Sequence, residues 1–178
     1  MGILSGPEIR NAVKSGQVFI DPFNDAHVGP NSYDLTLADE LLVYVSNGKF
    51  MDVREDNETV AHRIPNDGMI LYPGTLYLGS TVEAAGSDHY VPCIEGRSSM
   101  ARLGLSPHVS AGFGDHGFKC RWTLELTVTQ PIRIYAGIRI CQVFFHSLLG
   151  EKQPYNGKYA NSNGVVASRA HEDYEVRR

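Results

Sequence analysis

Hydrophobic positions recur along the chain with two different periods. Near the start, Ile9, Ala12 and Val13 fall at helical spacing. Ser5-Gly6-Pro7-Glu8 has the S-x-x-E spacing of a capping box with proline in the first turn. Lys14 stands near the carboxyl end, and Gly16 offers a left-handed stop. From there the period shortens to two. Short β-rich runs occupy 17–20, 33–37, 41–45, 69–71, 76–81, 122–128, 132–135 and 138–145. Asp21-Pro22, Gly29-Pro30, Asn47-Gly48, Asn66-Asp67-Gly68 and Pro73-Gly74 punctuate them. Many short strands at this spacing predict a mainly β sandwich or barrel with one short N-terminal helix, not βαβ units. The most regular run is 121–128, where Trp122, Leu124, Leu126 and Val128 share one face. Arg121, Thr123, Glu125 and Thr127 share the other.

Composition narrows this picture. A chain of 178 residues with 42% hydrophobic and 20% charged residues predicts one globular domain over 1–178. No apolar run approaches the ~18 residues of a membrane-spanning helix. The opening Met1-Gly2-Ile3-Leu4-Ser5-Gly6 has neither a secretory leader nor a myristoylation signal. Cys93, Cys120 and Cys141 are odd in number and far apart, which fits small buried thiols in a reducing cytoplasm and not a disulfide framework. With 16 Lys+Arg against 20 Asp+Glu, the net charge of −4 argues against a nucleic-acid polymer as partner. The acidic stretch 52–58 reads as a solvated loop. From Gln153 onward the chain is polar and Gly- and Asn-containing, and composition alone predicts a mobile tail.

Four segments are dense in glycine, hydroxyls and charge. In Glu95-Gly96-Arg97-Ser98-Ser99-Met100-Ala101-Arg102-Leu103-Gly104, backbone N–H, hydroxyl and guanidinium donors share one loop, as a phosphate requires. The same residues also read as a short helix with serine as N-cap and Arg102 in its last turn. Ala111-Gly112-Phe113-Gly114-Asp115-His116-Gly117-Phe118-Lys119-Cys120 reads either as a hairpin turn or as a turn where backbone meets a ligand. It leads into the strand bearing Glu125, a carboxylate out of place by propensity that either faces solvent or acts as an acid or base. Gly29-Pro30-Asn31-Ser32-Tyr33-Asp34-Leu35-Thr36-Leu37 turns into a strand. Pro154-Tyr155-Asn156-Gly157-Lys158-Tyr159 through Gly164-Val165-Val166-Ala167-Ser168-Arg169 places two tyrosines and two cations in the tail. There is no G-x-x-x-x-G-K-[ST]. Pro92-Cys93 lacks the second cysteine of the zinc deaminase signature, and no H-x-E occurs, so a zinc-independent chemistry is expected.

Taken in order, these segments resemble the dCTP deaminase family, a branch of the trimeric dUTPase superfamily. The resemblance runs from the Leu4-Ser5 helix through Pro30–Leu37, Gly96–Leu105, Asp115 to Glu125, Gly137–Gln142 and Lys158 to Arg169. It implies a distorted jelly-roll, dUTPase-like β-barrel, assembled as a homotrimer with sites between subunits. It also implies hydrolytic deamination of dCTP to dUTP and ammonia, with Glu125 as the general base that activates water. By the same resemblance Ser98 and Arg102 are catalytic partners that hold water, base and pyrimidine in register. Arg97, Ser98 and Ser99 meet the phosphates, and Asp115 takes the 3′-hydroxyl. Backbone around Thr123, Leu124 and Glu125 reads the pyrimidine edge. Ala111, Gln142, Tyr155, Lys158 and Ser162 complete the pocket as the tail closes over the nucleotide. Mg²⁺ is expected on the triphosphate, held by phosphate oxygens and water.

Three departures from the family pattern stand out. The turn reads Gly112-Phe113-Gly114-Asp115-His116-Gly117 where proline is usual after the aspartate, which predicts a looser turn. Cys120 replaces a glycine, and Ser162 replaces a glutamine. His108-Val109-Ser110-Ala111 is closer to the branch that releases dUTP and is inhibited by dTTP. A bifunctional enzyme that carries on to dUMP and pyrophosphate, and a jelly-roll that binds nucleotide without turnover, are the alternatives. The low total charge does not weigh against a nucleotide, because Arg97, Arg102, Lys158 and Arg169 all lie in the candidate segments.

Overall fold

The computed structural model describes residues 2–45, 48 and 50–174. Asn47 of the Asn47-Gly48 turn lies outside them, as do residues 175–178 of the tail.

The first helix, α1 (Gly6–Lys14), forms as its punctuation predicts. Ser5 Oγ accepts the Glu8 N–H at 3.4 Å, Ser15 caps the far end, and Gly16 follows at φ +74°. Ile9 and Ala12 are buried against the sheet. Gly6 has to be glycine for a local reason. Its N–H donates to the Pro30 carbonyl at 2.6 Å, and a Cβ there would strike the Gly29 carbonyl oxygen.

Ten strands follow: β1 (Phe19–Asp21), β2 (Tyr33–Tyr44), β3 (Thr59–Arg63), β4 (Met69–Leu71), β5 (Tyr77–Gly86), β6 (Tyr90–Gly96), β7 (Leu105–Ser106), β8 (Lys119–Val128), β9 (Ile132–Ile134) and β10 (Arg139–Ser147). The main sheet runs β6-β10-β2-β5-β8-β7, every pair antiparallel. β1 pairs with β5 and β3 with β2, while β4 and β9 form a separate two-stranded ladder. The segment between β7 and β8 then returns to β6. Ile94 donates its N–H to the Gly112 carbonyl at 2.7 Å, and Gly114 donates to the Pro92 carbonyl at 2.9 Å. That return joins the two ends of the sheet and nearly closes the barrel, which leaves few unpaired edges.

The runs 33–37 and 41–45 prove to be one strand, β2, with a register shift against β5 between Leu37 and Leu41. β3, β6 and β7 were not legible as strands. β6 contains Pro92, which strand propensity discourages, yet its register against β10 places Pro92 opposite Phe145. Alternation on β8 holds: Trp122, Leu124, Leu126 and Val128 are buried while Arg121, Thr123, Glu125 and Thr127 are half-buried. With Leu35, Leu37 and Leu41 from β2 and Val143 and Phe145 from β10, these side chains make the core. Each such burial contributes about 1.5–3 kcal/mol. Among the described residues, none of this core lies beyond Phe145. The acidic stretch 52–58 is a turn-rich surface loop, as expected. No described helix is long and apolar enough to cross a membrane.

The tail corrects its composition-based reading. Residues 153–174 lie along β8 and are held by specific bonds. The Tyr155 N–H donates to the His116 carbonyl at 2.7 Å, Val166 N–H to Thr123 Oγ1 at 3.2 Å, and Ser168 N–H to the Tyr44 hydroxyl at 2.9 Å. Lys158 Nζ meets Asp173 at 2.5 Å, and Arg169 pairs with Glu172 across a short 3₁₀ turn, Ala170–Asp173.

Candidate active site

The polar face of β8 is the floor of a cavity of about 460 Å³. Its walls are the turn before β8 and the folded-back tail. Arg121, Thr123 and Glu125 follow one another along the floor, Asp115 enters from the turn, and Tyr155 and Ser162 come from the tail. Aromatic side chains fill the gaps. Phe118 stands edge-on to Trp122 at 5.1 Å and to Tyr155 at 6.2 Å between ring centroids.

The turn that carries Asp115 is fixed, not loose. Gly114 sits against the Trp122 ring with no room for a side chain, and the Trp122 indole N–H donates to the Ala85 carbonyl at 3.0 Å. A Cβ on Gly112 would lie 2.6 Å from the Ile94 carbonyl oxygen. His116 Nε2 lies 2.8 Å from the Asp88 carbonyl oxygen. Gly117, at φ +87°, donates its N–H to the Ser87 carbonyl at 2.8 Å. Close packing and backbone bonds replace the stiffness that proline would have supplied.

Glu125 faces this cavity instead of bulk solvent. One carboxylate oxygen, Oε2, accepts the Val109 N–H at 3.1 Å, which orients the group and leaves Oε1 for a further partner. Thr123 Oγ1 accepts from Val166, so the tail is tied directly to the floor. The Leu124 side chain is wholly in the core, and only its backbone is placed to take part.

The site residues expected from the sequence divide into two groups. Ala111, Asp115, Thr123, Glu125, Tyr155 and Ser162 line the cavity. Arg97, Ser98, Ser99, Arg102 and Gln142 do not. Ser98 and Ser99 open a four-residue helix, α2 (Ser98–Ala101), whose N-cap is Arg97, not a serine, and whose C-cap is Arg102. Ser98, Ser99 and Arg102 are exposed. Arg97 Nε donates to Asp34 Oδ1 at 3.0 Å, Arg139 donates to the other oxygen of Asp34 at 3.2 Å, and Gln142 Nε2 donates to the Gly96 carbonyl at 3.2 Å. Lys158 is also off the cavity wall, and its bond to Asp173 raises its pKa above the ordinary lysine value. One chain thus brings together only part of the expected set, and the resemblance places such sites between subunits. The physical reason is placement: α2 projects from the end of β6, and its three site side chains point to solvent, not to β8. Conversely, Arg121, Phe118 and Trp122 line the cavity without having been named as site residues, and Tyr159, one of the two tail tyrosines, lines it as well. Arg121 carried a faint signal, a cation two residues from Thr123 on a strict alternation.

Among the described residues no three or more His, Cys, Asp or Glu side chains gather as a metal site would require. All three cysteines are free, and burial pushes the Cys93 and Cys141 thiols up.

The class defined here is a mainly β, nearly closed barrel with a carboxylate on its cavity floor and the tail along one wall. The chain belongs to the dCTP deaminase-like family, whose model matches residues 3–148. It is 48% identical to the dCTP deaminase, dUMP-forming, of Hathewaya histolytica, over 97% of this chain and 99% of that protein. The protein of the same name from Cytophaga hutchinsonii is 46% identical with the same coverage. Among solved structures, the 2′-deoxycytidine 5′-triphosphate deaminase of Agrobacterium tumefaciens superposes with a TM-score of 0.63. At 20% identity, over 81% of this chain and 48% of that one, it establishes the shared fold.

Proposed function

We propose that this protein deaminates dCTP and carries the product on to dUMP and pyrophosphate. Near-full-length relatives bear the name dUMP-forming, which favours this outcome over release of dUTP, the product expected from the sequence. The observation that carries the deaminase step is Glu125 on the cavity floor, with one oxygen held by Val109 and the other open.

In this reading Glu125 takes a proton from water as the water oxygen attacks C4 of cytosine. That proton passes to N3 and stays there. Glu125 then takes the second proton from the new C4 hydroxyl and gives it to the amine, the C4–N bond breaks and the C4 carbonyl forms, so that one water is consumed and one ammonia released. A second water then attacks the α-phosphorus, the bond to the β-phosphate oxygen breaks, and pyrophosphate departs. Asp115 binds the 3′-hydroxyl, backbone at Thr123, Leu124 and Glu125 reads the pyrimidine edge, and Ala111, Tyr155 and Ser162 wall the pocket. Ser98 and Arg102 hold the water and stabilise developing charge as preorganised donors. Because α2 does not reach the cavity of its own chain, these two come from a neighbouring copy, in keeping with a homotrimer. Arg97, Ser99, Gln142 and Lys158 act with them towards the phosphates. Mg²⁺ enters on the triphosphate as part of the substrate. dTTP, which presents the same sugar and phosphates, competes for the site.

Glu125→Gln tests the assignment. It keeps size and hydrogen bonding but removes the base, so deamination falls about 10²–10⁴-fold while nucleotide binding and melting temperature persist. Wild-type turnover in this variant would remove Glu125 from the role.

A further inference from the structure

We propose that Arg121 binds a phosphate group of the nucleotide; this rests on reading the cavity as the nucleotide site. Arg121 adds to the cations already placed towards the phosphates; within the chain Arg97 pairs with Asp34, Lys158 with Asp173 and Arg169 with Glu172, while Arg102 is exposed on α2, away from the cavity. Arg121 differs from them in two ways. Among the described residues it is the one lysine or arginine on the cavity wall, and none of the ion pairs there engages it.

Its surroundings make an anion the fitting occupant. Arg121 is half-buried on a wall shared with Phe118, Trp122 and Tyr155, where a guanidinium with no carboxylate in ion-pair contact gains from an anionic partner. Position along β8 says which part of the ligand arrives there. Arg121 and Glu125 are four residues apart on one face, roughly 13 Å at strand rise. A nucleotide with its amine at Glu125 and its sugar at Asp115 points its phosphates away from Glu125, towards Arg121. The planar fork of arginine can take two phosphate oxygens at once, which lysine cannot reproduce. Among the described residues of this wall, Asp115 and Glu125 carry negative charge and Arg121 carries the positive charge.

The experiment compares steady-state kinetics on dCTP for wild type, Arg121→Gln and Arg121→Lys, with thermal melts of each as folding controls. Loss of a charge-assisted contact raises KM for dCTP about 10- to 100-fold in Arg121→Gln, with kcat within a few-fold of wild type. Arg121→Lys keeps the charge but not the fork and lies between the two. An unchanged KM in a folded Arg121→Gln, a loss confined to kcat, or a lysine variant no better than glutamine would each overturn the assignment. Absence of any dCTP turnover or binding by the wild-type protein would instead strike the nucleotide reading itself, and the assignment with it.

Discussion

Replacing Gly114 with alanine places a methyl group against the Trp122 ring. The new Cβ would lie 3.0 Å from Trp122 Cζ2, closer still to Cη2, and 2.9 Å from the Pro92 carbonyl oxygen. Neither neighbour can give way freely. Trp122 is only 5% exposed and bonded through its indole N–H to the Ala85 carbonyl, and the Pro92 carbonyl is the partner of the Gly114 N–H. Overpacking of this kind costs about 1–3 kcal/mol. If the ring swings out, the buried Ala85 carbonyl loses its donor, at a further cost of about 1–3 kcal/mol. The expected destabilisation with both effects is therefore about 2–6 kcal/mol, or a drop in Tm of roughly 4–24 °C for a chain of this size. Thermal melts at fixed protein concentration measure it, with Gly2→Ala as control, since nothing lies within 4 Å of that position. Because Asp115 is the next residue, KM for the nucleotide should rise as well. A Gly114→Ala protein that melts within 2 °C of wild type, with unchanged KM, would refute the view that packing stiffens this turn.

Three further outcomes are expected. Deleting residues 153–178 removes Tyr155, Tyr159 and Ser162 from the cavity wall but no core residue, so the barrel still melts cooperatively while nucleotide affinity falls about tenfold or more; loss of folding would contradict this. An aromatic disulfide reagent should titrate one thiol in the native chain, Cys120, and all three only in denaturant. Cys93 and Cys141 are buried, with thiol pKa values raised by that burial, and so stay protonated and unreactive at pH 8. Glu83, 3% exposed, accepts the Thr36 N–H at 2.8 Å and the Thr36 hydroxyl at 2.9 Å, so Glu83→Ala strands a buried donor and costs about 1–3 kcal/mol in denaturant titration. Glu83→Gln, which keeps an acceptor, should cost less.

What the sequence discloses depends on how local the cue is. α1 is legible because capping box, apolar stripe and Gly16 stop all lie within twelve residues of one another. β8 is legible because nothing interrupts its alternation. β6 is not, since Pro92 and Gly96 disfavour a strand on their own and only pairing with β10 and with 112–114 makes one. β3 is a polar edge strand, and its exposed residues carry no burial pattern to read. The site divides in the same way. Glu125 and Asp115 stand out through their motifs, but the alternation that identifies β8 also makes Arg121 and Glu125 look like ordinary solvent-facing residues. Only the tail, folded across β8 by bonds such as Val166 to Thr123, turns that face into a cavity wall. The distance between α2 and Glu125 is likewise a property of the folded barrel and has no counterpart in motif order.

The central claim is a two-stage reaction in one protein, and its products test it most directly. Purified protein is incubated with dCTP and Mg²⁺, and nucleotides, ammonia and pyrophosphate are quantified together. The account predicts dUMP, ammonia and pyrophosphate in equal amounts. Accumulation of dUTP without pyrophosphate, or no turnover of dCTP at all, would contradict it.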